Sequence, residues 1–216
     1  MKSSRKLSDQ RVLPELNQSK ILKRKFYTRP VITVARELLG KLLVNSTGGK
    51  ILAGIIVEVE AYDGSVDEAA HTFLGKTKRN EIMFGEGGFL YVYFTYGAHY
   101  CSNVVTGQEG EGTAVLIRAI EPVLGIDEMI KNRFGRDLKN EKEKHNLTSG
   151  PGKVCSALSI TKEHYGTDLT KDEIFILDRP VINKKDIAAG KRVGISKSID
   201  LPWRFYIQGN AYVSRK

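Results

Sequence analysis

Apolar and polar residues alternate with period two over several stretches of the chain, and these stretches set most of the expected elements. KLLVNS and ILAGIIVEVEAY, separated by TGGK, predict the two strands of a hairpin. GFLYVYFT and HYCSNVVT, separated by YGA, predict a second hairpin with Tyr96 at its tip. GTAVLIRAI is a further strand, and EIFILD, KRVGIS and RFYIQG are three short ones. Helical spacing appears in TVARELLGKLLV, with Thr33 as N-cap and a stop near Gly40, in LGIDEMIKNRF, and after the small residues of SGPGKVCSALSI. DGSVDEAAHTFLGKTKRN is polar and turn-rich, and GRDLKNEKEKHN (about 135–146) is charged, has no core pattern and is expected to be a mobile loop. With no internal repeat and no βαβ alternation, the expected fold is α+β. It is a single domain on a curved, mostly antiparallel β-sheet with flanking helices and a protruding β-hairpin.

Within IIVEVEAY a strict alternation puts Ile55, Val57 and Val59 on one face and Ile56, Glu58 and Glu60 on the other. Two carboxylates about 7 Å apart on one strand fit a solvated face, or the spacing of a sugar hydrolase. Neighbours on one strand point the same way, however, so a single glutamate acting as general base on water is the more economical chemistry. Four of the nine tyrosines fall between Tyr91 and Tyr100. Valine would satisfy a buried strand, whereas tyrosine brings a flat face and a hydroxyl that needs a partner. Tyr62 and Tyr93 can wall a slot for a flat ring, Tyr91 and Tyr100 suit core packing, and Tyr96 beside Gly97 is placed for exposure.

Composition narrows the classes. The 216 residues are 41% hydrophobic and 27% charged, enough for one globular domain, and no run reaches a membrane span. Cys101 and Cys155 form no zinc or disulfide pattern, which suggests a reducing, intracellular setting. The formal net charge of +9 is concentrated in residues 1–29, where nine basic side chains face only Asp9 and Glu15. That segment is expected to be a basic, flexible arm, and its charge points to nucleic acid before membrane. A transit peptide shares this composition. The four histidines have no ligand spacing, and Asp63, Asp67 and Glu68 do not fit a calcium loop, so no metal is expected. Arg118 is a lone cation in an apolar strand and calls for a carboxylate or phosphate partner.

These stretches, in this order, resemble the alkyladenine (methylpurine) DNA glycosylase family. The matching runs are ARELLGKLLV, IVEVEAYDGSVDEAAHTF, KRNEIMF, LYVYFTYGAHYCSNV, AVLIRAIEP, LTSGPGKVCSAL, RVGIS and RFYIQGNAYVS. The resemblance implies a glycosylase domain over 30–216 that flips alkylated or deaminated purines from double-stranded DNA. It would hydrolyse the N-glycosidic bond without cofactor, metal or lyase step, acting as a monomer with no membrane. The setting would be the cytoplasm and nucleoid of a bacterium, or the nucleus or an organelle of a eukaryote. Carried over by position, Glu60 resembles the general base and Arg118 the residue that helps to place the water. Tyr62, His71, Tyr93 and Asn103 resemble the base pocket, and Tyr96 the side chain that intercalates where the base was. A non-catalytic nucleic-acid-binding module would need the arm and the tyrosines but not Glu60. A carbohydrate hydrolase would use Glu58 with Glu60 and need no wedge.

Overall fold

In the computed structural model, which describes residues 17–95 and 97–214, the apolar runs form one sheet. Its strands are β1 (Leu42–Asn45), β2 (Leu52–Asp63), β3 (Leu90–Thr95), β4 (His99–Thr106), β5 (Thr113–Leu124), β6 (Ile174–Leu177), β7 (Ile187–Gly190) and β8 (Arg204–Ile207). The order across the sheet is β3-β4-β5-β2-β1-β6, and β8 pairs with both β2 and β7. Every pairing of these strands is antiparallel. The fold is therefore α+β on a curled antiparallel sheet, as the alternation implied.

Strand β2 organises the sheet. On one edge it pairs with β5 along its length, and on the other it meets β1 at residues 52–55 and β8 at residues 58–60. The change of partner coincides with register shifts between Ile56 and Val59. Ile56 and Val59, three positions apart, both lie in the main core. The alternation thus changes phase there, and Ile56 sits on the core face rather than beside Glu58 and Glu60, as strict period two had placed it. The bulge leaves Glu58 and Glu60 together on the face away from that core.

Five α-helices are formed among the described residues: α1 (Arg24–Tyr27), α2 (Val31–Leu38), α3 (Ile126–Phe134), α4 (Glu141–His145) and α5 (Pro151–Ala157). Helix α2 buries Val31, Val34, Ala35 and Leu38, one stripe at helical spacing, against the sheet. It starts three residues earlier than an N-cap at Thr33 required. Pro30, with φ of −51°, occupies the cap position, and its carbonyl accepts from the Thr33 amide at 2.9 Å. Helix α3 has Asp127 and Glu128 in its first turn and Lys131 and Arg133 in its last, matching the helix dipole. The expected strand at KRVGIS is a loop, and the strand in that region is β7, just before it. The reason lies in Arg192, whose buried side chain holds the segment off the sheet by bonding Asp67 and the Ala61 carbonyl.

Two charged segments make more contacts than their composition implied. Around 135–146 the charges pair with one another: Arg136 grips Glu143 through two nitrogens at 2.7 and 2.9 Å, and the Asn140 side chain caps α4. In the segment expected as an arm, the described part from Asn17 packs on the domain, with Leu22 and Tyr27 in the main core. Arg24 bonds Asp168 at 2.6 Å, and Arg29 bonds Glu37 at 2.9 Å. Five of the nine cations of 1–29 thus lie in packed chain; residues 1–16 lie outside the described residues.

The segment docks on a corner of the β3–β4 hairpin through backbone contact. The Gly107 amide donates to the Tyr27 carbonyl at 2.9 Å, and the Gly87 amide to the Gly107 carbonyl at 3.0 Å. A Cβ at Gly87 would stand 2.6 Å from the Tyr27 carbonyl oxygen, a contact only the backbone can relieve. Gly87→Ala should therefore cost about 1–3 kcal/mol and lower the melting temperature by several degrees. A melting curve unchanged from wild type would show that this docking contributes nothing.

Candidate active site

Register places the site. β2 brings Glu60 opposite Leu116 and Tyr62 opposite Ala114 on β5, while β4 brings Asn103 opposite both Tyr91 and Leu116. The same register shift that turns Glu58 and Glu60 away from the core aims Arg118 of β5 at both. Its Nε lies 3.2 Å from Glu58 and its Nη1 lies 3.3 Å from Glu60. Both glutamates have no exposed surface, and Arg118 is 6% exposed. Sequence reading asked for a carboxylate or phosphate partner for this arginine, and it has two carboxylates.

The two carboxylates are held differently. Glu58 accepts from Arg118, from Arg204 at 3.1 Å, and from the Ser214 amide and hydroxyl at 2.6 and 2.9 Å. Glu60 accepts from the Tyr62 hydroxyl at 2.8 Å and from the Val193 amide at 2.7 Å. Tyr62, Val193 and Arg118 all line one cavity of about 570 Å³, whereas Arg204 and Ser214 do not. Glu60 therefore sits directly behind the cavity wall, and Glu58 is tied to the far side of Arg118.

The cavity joins five of the expected residues, Tyr62, His71, Tyr93, Asn103 and Arg118. Its floor and one wall are aromatic: Tyr91 and Tyr93 stack with centroids 5.5 Å apart, and His71 meets Tyr93 edge-on at 4.6 Å. His71 Nδ1 lies 3.0 Å from the Tyr91 hydroxyl. Burial, and then the Glu60 charge, push the Tyr62 hydroxyl far above the usual tyrosine range, so it stays protonated and donates to Glu60. Tyr93 is raised likewise, by burial and then by its neighbour Cys101. The His71 pKa is lowered, by desolvation and then by the Arg79 charge, which keeps the imidazole neutral at pH 7. Asn103, 5% exposed, spends one amide donor on the Tyr91 carbonyl at 3.4 Å. Tyr91 and Tyr100 pack into the protein as expected. Tyr96 lies outside the described residues.

Sequence reasoning missed Arg192. Both it and Asp67 have fully buried side chains, and they meet as a two-pronged ion pair. The guanidinium lies 4.5 Å from the centroid of the Tyr62 ring and 5.6 Å from that of Trp203. Tyr62 is thus backed by a planar cation that fixes its tilt. Its sequence signal was weak: Arg192 stands beside Lys191 at the head of VGIS, where a cation pair reads as solvated, unlike the isolated Arg118. At the cavity mouth the start of α5 comes close to β4: a Cβ at Gly152 would stand 2.9 Å from that of His99. Lys153 and Arg133 line this side, and the pKa of each is lowered by desolvation. Among the described residues no group of three or more His, Cys, Asp or Glu can hold a metal ion, and no helix is long and apolar enough to cross a membrane.

An aromatic slot over a buried carboxylate suits a flat, hydrophobic ring presented beside a bond to be hydrolysed. Comparison with known proteins agrees. The family model for methylpurine-DNA glycosylase matches residues 25–211. A protein of Alkaliphilus oremlandii is 47% identical over 201 residues, covering 90% of this chain and 99% of its own. Proteins of Clostridium novyi, at 48%, and Carboxydothermus hydrogenoformans, at 49%, each cover 91% of this chain and match along their whole length. All three are provisionally named 3-methyladenine DNA glycosylases. The cavity, the buried glutamate behind it and this likeness along nearly the whole chain agree: the protein belongs to the methylpurine-DNA glycosylase family.

Proposed function

We propose that the protein excises alkylated purines, and deaminated ones such as hypoxanthine, from double-stranded DNA by hydrolysis of the N-glycosidic bond. The observation that carries this reading is the placement of Glu60, fully buried behind an aromatic cavity and in contact with three of its lining residues. The extruded purine stacks between Tyr62 and Tyr93, with His71 closing the edge. Asn103 crowds the position where guanine carries its extra amino group. Stacking contributes about 1–3 kcal/mol per base and offsets much of the few kcal/mol that flipping costs, least at damaged or mismatched pairs.

In the chemical step water oxygen bonds to the sugar C1′ and its proton passes to Glu60. The electron pair of the glycosidic bond leaves with the purine, which for an N-alkylated cation departs neutral. Arg118, with Nη1 3.3 Å from it, holds the Glu60 carboxylate in place. Glu58, which accepts four hydrogen bonds, serves as anchor for Arg118. No lysine takes a Schiff-base role, so the backbone is left uncut. The protein acts as a monomer. Tyr96 takes the vacated place in the base stack, a role that rests on resemblance alone.

Release of free base from alkylated duplex DNA tests the reading. Glu60→Gln should keep lesion binding in a gel-shift assay while single-turnover excision falls by about 10²–10⁴-fold, the usual share of a general base. Excision by this variant near the wild-type rate would remove Glu60 from the chemistry. Excision should also be indifferent to excess EDTA. Loss on chelation with recovery on adding a divalent metal would contradict the proposed metal-free hydrolysis.

A further inference from the structure

The loop between His71 and Asn80 is fixed from within and apolar at its tip. Asn80, 2% exposed, donates to the carbonyls of His71 at 2.8 Å and Gly75 at 3.0 Å, and accepts from the Thr77 amide at 2.6 Å. Buried Thr72 adds a bond to the Gly112 carbonyl at 2.6 Å. On this clamped loop Leu74 is 94% exposed and its neighbour Phe73 is 40% exposed. A single surface leucine is unremarkable in a globular protein. An adjacent apolar pair held out on a rigid loop at the rim of the site is not explained by the fold.

Charge says what covers it. Residues 69–80 contain Lys76, Lys78 and Arg79 and no carboxylate. Lys76 and Lys78 are exposed and make no ion pair among the described residues. Arg79 reaches back over the Tyr93 ring at 5.7 Å, and His71 at the other end touches the same ring, so the loop is continuous with the cavity. An apolar point flanked by cations suits duplex DNA, where side chains wedge against base steps while lysines meet phosphates.

We propose that the 71–80 loop is a second DNA-engaging element: Leu74, with Phe73 beside it, presses on bases next to the extruded nucleotide, and Lys76 and Lys78 hold flanking phosphates. This rests on the glycosylase reading above and extends the contact surface beyond the lining of the pocket.

Leu74→Ser and the pair Lys76→Gln/Lys78→Gln test it, each measured on one alkylated purine in duplex and in single-stranded DNA. Leu74→Ser should weaken duplex binding and kcat/KM by about tenfold, leave single-stranded excision and melting temperature unchanged, and leave the salt slope alone. The lysine pair should weaken binding to damaged and undamaged duplex alike and reduce the salt slope by about two. Wild-type behaviour of Leu74→Ser on duplex, or equal loss on both substrates, would overturn the proposal. So would a loss of self-association in sedimentation without DNA alongside unchanged duplex binding, since a second copy would then cover the leucine. If wild-type protein released no base from any alkylated duplex, the glycosylase reading would fail and this inference with it. Normal wild-type excision with an indifferent Leu74→Ser would sink the inference alone.

Discussion

Two glutamates with no exposed surface, on the same face of the central strand, are a constraint the rest of the fold must satisfy. Burying either carboxylate without a charged or hydrogen-bonding partner would be costly, and the two side by side would repel. Arg118 lies between them and Arg204 closes the group on the Glu58 side, so the cluster pairs two anions with two cations. Such clusters contribute little net stability, but removing one member leaves an uncompensated buried charge. The bulge in β2, the approach of β8 and the return of the C-terminal segment to Ser214 all serve to complete it.

The aromatic half of the site is braced by the same means. Tyr62 is fixed between a hydrogen bond to Glu60 and the face of Arg192, which is itself neutralised by Asp67. The loop that carries Arg192 also brings the Val193 amide to Glu60. One short segment thus orients both the carboxylate and the ring above it. A site held this way is organised before substrate arrives, which suits catalysis by positioning rather than by large motion.

Much of this was legible in the sequence because it depends on local patterns. Alternation located the hairpins, the lone cation in AVLIRAI pointed to a carboxylate or phosphate, and the tyrosine run pointed to sheet packing or to something flat. Other features depend on contacts between distant residues. The bulge that moves Ile56 to the core face is a mismatch between β2 and β5, invisible in either strand alone. KRVGIS has strand composition, but the buried bond from Arg192 to Asp67, 125 positions away, outweighs that propensity. The basic segment looked like a solvated arm by charge count. Leu22, Tyr27 and the partner of Arg24, Asp168, make residues from Asn17 onward part of the domain. Pattern favoured a single glutamate as general base, but assigning that proposed role to Glu60, and the proposed wedge role to Tyr96, came from family resemblance.

We propose a division of labour in which Glu60 takes the proton from water and Glu58 anchors the arginine that holds it. Melting temperature and single-turnover excision, measured side by side on Glu58→Gln and Glu60→Gln, test it most directly. The account predicts a crossover. Glu60→Gln should stay folded and lose excision by orders of magnitude. Glu58→Gln should lose about 3–5 kcal/mol of stability yet retain measurable excision at temperatures where it is folded. A folded Glu58→Gln that cannot excise, beside a Glu60→Gln that can, would contradict the account.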